Sequence, residues 1–186
     1  MLHVRLGEQH GGDPHTAVVD EFCVCRSRAR VDVAVINGHL AGFEIKSDAD
    51  RLDRLPMQMR YYDRVFDEVT VVAAARHLTA LTRRLPDWYG ILATESDSDG
   101  LTLRTHQKLG RNPDPCTSSR AQLLWREDMV ELLLAAGAGA EVRRQPRRVL
   151  LPQVVEAIPE HELLSEIRRR VRLRLRVNAS SGSTAA

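Results

Sequence analysis

The sequence predicts an α/β protein, a sheet with helices packed on it, and three observations carry that prediction. Ala17 to Cys25, Arg30 to Ile36 and Leu40 to Lys46 are successive runs rich in apolar and β-branched residues, the last two joined through Asn37-Gly38, a pair suited to a tight hairpin. From Leu52 to Phe66 the apolar residues Leu52, Leu55, Met59, Tyr62, Val65 and Phe66 recur every three or four positions, the period of a helix. Val69 to Ala74 is then a short unbroken apolar run, of the kind buried on both faces of a sheet. Strands, then a helix, then a strand stack as an α/β sheet.

Each element follows in order. Residues 1–16 hold Gly7, Gly11, Gly12, Asp13 and Pro14 and are expected to form an opening segment and loop rather than a helix. Arg26 to Ala29 is a polar turn between the first two strands. Ser47 to Asp50 supplies residues that cap helices, and Pro56 marks a first turn or a kink. Leu78 to Leu85 is a short helix, Tyr89 to Thr94 a strand, Glu95 to Gly100 a turn and Leu101 to Thr105 an edge strand. Gly110, Asn112, Pro113 and Pro115 mark a loop. Ala121 to Ala136 reads as one amphipathic helix ended by Gly137 and Gly139. Further helices are expected over Arg148 to Ala157 and Glu160 to Val177, and residues 178–186 as a disordered Ser/Gly/Ala tail.

Composition narrows the function. The 186 residues are 43% hydrophobic and 28% charged with a net charge of +2, so the chain is not a polycation that coats nucleic acid. The charge is uneven: from Arg143 onward there are ten arginines and no lysine. No apolar run approaches the ~20 residues of a membrane span, and no signal-like opening is present, so a cytoplasmic protein with no membrane partner is expected. Cys23 and Cys25 are expected to share one strand face as small buried apolar side chains, and with Cys116 they form neither a disulfide framework nor a zinc pattern.

The hairpin carries the chemistry. Residues two apart on a strand share a face, so Val31, Val33 and Val35 should lie on one side and Asp32, Ala34 and Ile36 on the other, while Glu44 and Lys46 project together. Carboxylates and an ammonium among apolar neighbours are costly unless they pair or bind a cation. Two acids and a lysine at the ends of paired strands suggest a metal-dependent phosphodiesterase. Mg²⁺ or Mn²⁺ would be held by Asp32, Glu44 and the Ile45 carbonyl, with Glu21 a further ligand. Lys46 would orient or deprotonate the attacking water or stabilise the transition state.

This pattern resembles the PD-(D/E)XK nuclease superfamily, over roughly Val18 to Ala74. The motif aspartate corresponds to Asp32, the (D/E)-x-K to Glu44-Ile45-Lys46, and the acid from the preceding element to Glu21. RecB-like branches add Gln-x-x-x-Tyr on the following helix, matched by Gln58 and Tyr62. The run Arg30 to Val72 looks like a small bacterial branch and, more distantly, like endonucleases associated with DNA repair. The proline that names the motif is absent, Arg30-Val31 standing before Asp32, and three cysteines cannot hold the iron–sulfur cluster of some RecB-like members.

The resemblance implies a restriction-endonuclease-like central mixed sheet flanked by helices, with a nuclease-like core at residues 17–108 and a helical C-terminal extension at 120–177. It implies cleavage of DNA phosphodiesters in repair, recombination or mobile-element defence, as a homodimer or part of a larger assembly. Arg28 and Arg30 flank the second strand and are candidates for phosphate contact. The basic run Arg168 to Arg176 offers a narrow stripe of Ile167, Val171 and Leu175 for docking, with arginines for phosphate or for solvent. Trp88, Tyr89 and Trp125 are expected as core anchors. The alternative is a catalytically inactive module of the same fold that binds DNA or assembles with partners.

Overall fold

A computed structural model describes the backbone of residues 1–97 and 100–182 and the side chains of residues 1–95 and 100–175. One six-stranded sheet runs in chain order: β1 (Ala17–Val24), β2 (Ala29–Ile36), β3 (Leu40–Lys46), β4 (Glu68–Ala74), β5 (Gly90–Asp97) and β6 (Gly100–Gln107). β1, β2 and β3 form an antiparallel meander, β3, β4 and β5 are parallel, and β6 returns antiparallel, so the sheet is mixed. The parallel pairs need crossovers. Helix α2 (Leu55–Val65) joins β3 to β4, and a 3₁₀ turn with α3 (Leu78–Arg84) joins β4 to β5. The helices α4 (Thr117–Ala121), α5 (Arg126–Ala135), α6 (Arg147–Ala157) and α7 (Glu160–Gly182) follow the sheet. The expected α/β sheet flanked by helices, with helices at the C-terminal end, is what forms.

The sheet separates two apolar layers. On one face Val31, Ala34, Ile36, Val69 and Val71 pack with Tyr62, Phe66, Leu124, Leu150 and Ile167 from the helices. On the other, Val33, Val35, Ala41, Val72 and Leu92 pack with Leu2 and Leu6 of an N-terminal helix, α1 (Leu2–His10). This corrects the opening segment, which was expected to be loop: two leucines one helical turn apart suffice to seat a helix on the sheet despite Gly7.

Four other expectations are corrected. Val31 does not share a face with Val33 and Val35, because β1 and β2 both switch faces at one level. Glu21 adopts a left-handed φ of 56° and forms no pair with Asp32, although Asp20↔Val33 and Phe22↔Val31 pair on either side. The Cys-x-Cys pair does not share a buried face either: β1 stops at Val24, Cys23 is exposed, and Cys25 is buried with φ 50°. The expected helix 121–136 is broken, with α4 ending at Ala121 and α5 starting at Arg126, where the Asp128 carboxylate accepts the Trp125 N–H at 2.8 Å. The backbone of α7 runs to Gly182, so residues 178–182 of the expected tail are helical, while 183–186 lie outside the described residues. Among the described residues no helix is long and apolar enough to cross a membrane.

Candidate functional site

The site begins where the β2–β3 ladder stops. Cross-strand pairing runs from Ile36↔Leu40 to Val33↔Phe43 and goes no further. At the next position the Asp32 carboxylate takes the place of a backbone acceptor, receiving the Ile45 N–H through Oδ2 at 2.6 Å. β3 continues alone against β4 through Lys46. The strands therefore part at Asp32, and Glu44 and Lys46 emerge beneath α2.

Leu40, Glu44 and Lys46 alternate onto the face covered by α2, which places the two charged groups among buried side chains. Glu44 is 2% exposed and Lys46 9%. Lys46 Nζ donates to Glu44 Oε1 at 2.6 Å, so the buried charges are paired. Gln58 and Tyr62, one turn apart on α2, complete the network. The Gln58 amide donates to Glu44 Oε1 at 2.8 Å and to the Tyr62 hydroxyl at 3.2 Å, and its Oε1 lies 3.4 Å from Lys46 Nζ. The fully buried Tyr62 hydroxyl is 2.7 Å from both Glu44 Oε2 and the Arg30 carbonyl, so it braces the acid against β2 with a single proton. Burial, and next the neighbouring Glu44 charge, push the Tyr62 phenol well above its ordinary range and keep it a neutral donor.

Asp32, Glu44, Ile45, Lys46 and Gln58 face one cleft of about 1260 Å³. Arg28 and Arg30 line it, and Arg51 and Arg54 line it as well. The latter two were missed because the stretch before α2 reads as a capping run. In the structure α2 starts at Leu55 with Pro56 in its first turn, and Asp50 instead closes the turn 47–50 by accepting the Ser47 N–H and hydroxyl. Those two bonds hold the Asp50 carboxyl below its ordinary value.

Glu21 is not part of the cleft lining. It pairs with Arg30 Nε at 2.5 Å, with both side chains more than half exposed. Among the described residues no group of three or more His, Cys, Asp or Glu side chains could hold a metal ion. What the site offers is two carboxylates and a backbone carbonyl. On Glu44 both oxygens already accept hydrogen bonds, whereas Asp32 Oδ1 has no partner among the described residues.

The comparison with known proteins adds a family. The model of bacteriophage P4 protein cII matches residues 2–181, almost the whole chain. The chain belongs to the phage P4 cII family. A curated member, protein cII of Enterobacteria phage P4, is 32% identical over 91 residues, which cover 49% of this chain and 34% of that protein. The chain thus spans about a third of the length of that relative. No solved structure matches. The cII descriptions name neither a reaction nor the nuclease superfamily that the hairpin motif resembles.

Proposed function

We propose that this cII-family chain is a metal-dependent DNA nuclease of restriction-endonuclease-like fold. The observation that carries the reading is the single network joining Glu44, Lys46, Gln58 and Tyr62 beside Asp32, at the point where β2 and β3 part, in a cleft edged by arginines. An endonuclease and an exonuclease are equally served by these residues, and a cytoplasmic setting in repair, recombination or mobile-element defence accords with the reading.

The donor set suits Mg²⁺ or Mn²⁺. Such ions take hard oxygen ligands, often only one or two carboxylates, and keep several waters. Asp32 Oδ1 and the remaining lone pair of Glu44 Oε2 are the open acceptors, with the Ile45 carbonyl beside them. When bound, the ion would neutralise phosphate charge and lower the pKa of a water. The protein's own part is positional. Tyr62 and Gln58 hold Glu44 in one orientation, and Lys46, fixed by Glu44, presents its ammonium to the cleft where it can orient a water and offset charge on the phosphate. Arg28, with no ion-pair partner among the described residues, and Arg54 are placed to contact the DNA backbone without reading sequence.

A second reading has one observation in its favour. Both oxygens of Glu44 already accept hydrogen bonds from the protein itself, which is what a structural network in an inactive DNA-binding or assembly module would also require. Nicking of plasmid and single-stranded DNA with Mg²⁺ or Mn²⁺ decides between them. The enzyme predicts cutting by the parent, and a loss of at least about 100-fold in folded Lys46→Ala and Asp32→Ala, as expected for removal of a group that stabilises transition-state charge. A parent inert with every metal and DNA form sinks the hydrolase and leaves the module.

A further inference from the structure

A second recess opens beside the cleft. It has a volume of about 430 Å³, and Cys23 and Ser27 line both hollows. The β1–β2 turn is the ridge between them. Cys25, Arg26 and Ser27 all take left-handed φ values of 50°, 59° and 62°, and the turn sends Arg28 toward the cleft and Arg26 toward the recess.

The recess is more cationic than the cleft. Arg26, Arg126, Arg147 and Arg174 line it against one acid, Glu127. Arg147 bonds to the Gln122 and Leu124 carbonyls, contacts that hold its guanidinium in place without neutralising it, and Arg126 bonds to the Gln145 and Arg143 carbonyls with Glu127 3.8 Å away. Arg26 has no hydrogen-bond or ion-pair partner among the described residues. Trp125 completes the wall. The Arg174 guanidinium lies 3.9 Å from its ring centre, yet the residue is 55% exposed, the indole nearest a basic groove that remains open to a ligand.

We propose that the recess receives the bases and phosphates of a single nucleic-acid strand whose scissile phosphate lies in the cleft, so that the substrate is single-stranded rather than duplex. The proposal rests on the nuclease reading for the cleft and adds the path of the strand. An exposed indole among arginines matches the pairing of stacking platform and charged groove that single strands use. Bases inside a duplex are stacked on one another and present no face to Trp125. Arg174, tied to Asp128 at 2.7 Å and to the Leu123 carbonyl, braces the indole.

The test is binding in EDTA, where no metal-dependent cutting occurs, using labelled oligo-dT and oligo-U of about 16 nucleotides and a duplex of equal length. The full chain is expected to prefer the single strands at least tenfold at equal salt. Trp125→Ala should weaken that binding by about 5- to 150-fold, the equivalent of one lost base stack, with Trp125→Phe retaining most of it. Arg26→Asn should lower the salt slope by about 0.7, the value for one phosphate contact on a single strand. Equal or tighter binding of duplex, or unchanged single-strand affinity in a Trp125→Ala protein with native circular dichroism, overturns the proposal. Cutting that persists with no single-strand preference removes the strand path and spares the hydrolase. Single-strand affinity with no cutting does the reverse.

Discussion

Tyr62 is the residue on which the candidate site turns, because its hydroxyl is the link between α2, β3 and β2. Tyr62→Phe leaves the volume and the edge-on packing against Phe66 intact, with ring centres 5.8 Å apart, but removes the one proton shared between Glu44 and the Arg30 carbonyl and the acceptor of the Gln58 amide. A buried acceptor left unmade costs about 1–3 kcal/mol, and urea unfolding should show a loss in that range. A neighbouring aspartate sets a pH dependence. Burial raises the Asp63 carboxyl above its ordinary value, and the Tyr89 hydroxyl donating to it at 2.6 Å offsets this only in part. A carboxyl whose folded pKa is raised binds its proton more tightly in the native state. Its contribution is present below the unfolded value of about 3.9 and is lost as pH rises through the raised one. Asp63→Asn should therefore flatten the decline in stability across that acidic window, measured as unfolding free energy against pH. Asp32, Glu44 and Lys46 were legible as a candidate site from residue type and spacing. Arg51 and Arg54 were not, since nothing local distinguishes a cleft-facing arginine from a solvated one.

Among the elements, α4 shows how a very short helix becomes indispensable. Arg120 is 3% exposed and reaches back to the end of α2, where Nε donates to the Val65 carbonyl at 2.8 Å and the other end meets Asp67 Oδ1 at 2.5 Å. Arg120→Ala leaves the Val65 carbonyl without its donor and the partly buried Asp67 carboxylate without its cation, and loss of one partner of a buried pair costs up to about 3–5 kcal/mol. Arg120→Lys should recover little, because an ammonium lacks the planar fork that serves both acceptors. Thermal unfolding of the two variants checks this. The strands and α2 were readable because their periods of two and 3.6 are written locally, and β3 occupies the span its apolar run suggested. The break between α4 and α5 was hidden because apolar residues continue across it. Helix α1 was hidden because its two buried leucines sit among glycines and find their partners only on the far face of the sheet.

For the molecule as a whole, α7 is a strap rather than an appendage. Leu163 and Ile167 are fully buried and Val171 nearly so, and Arg172 donates to the Asn37 carbonyl in the β2–β3 turn. Its arginines are mostly spent inward: Arg170 meets Asp128, Glu131 and Glu166, and Arg174 meets Asp128 and Trp125. The stripe of Ile167, Val171 and Leu175 docks on the core as the sequence suggested, Arg170 and Arg174 are held in ion pairs rather than left to solvent, and Trp125, expected in the core, is exposed. Each buried aliphatic side chain contributes about 1.5–3 kcal/mol, and whole domains are stable by only about 5–15 kcal/mol. A chain ending before Glu160 should accordingly lose its cooperative thermal transition and aggregate on gel filtration.

What the sequence determined by itself was the succession of strands and helices and the hairpin bearing Asp32, Glu44 and Lys46, because hydrophobic period and turn residues act over a few neighbours. Only the tertiary structure decided that β2 and β3 part at Asp32, that Glu21 turns outward to Arg30, that Tyr62 braces Glu44, and that Trp125 stands exposed beside the cleft. Those outcomes depend on contacts between segments tens of residues apart, where one left-handed backbone angle at Glu21 redirects a strand face, and no local pattern encodes where such distant partners meet.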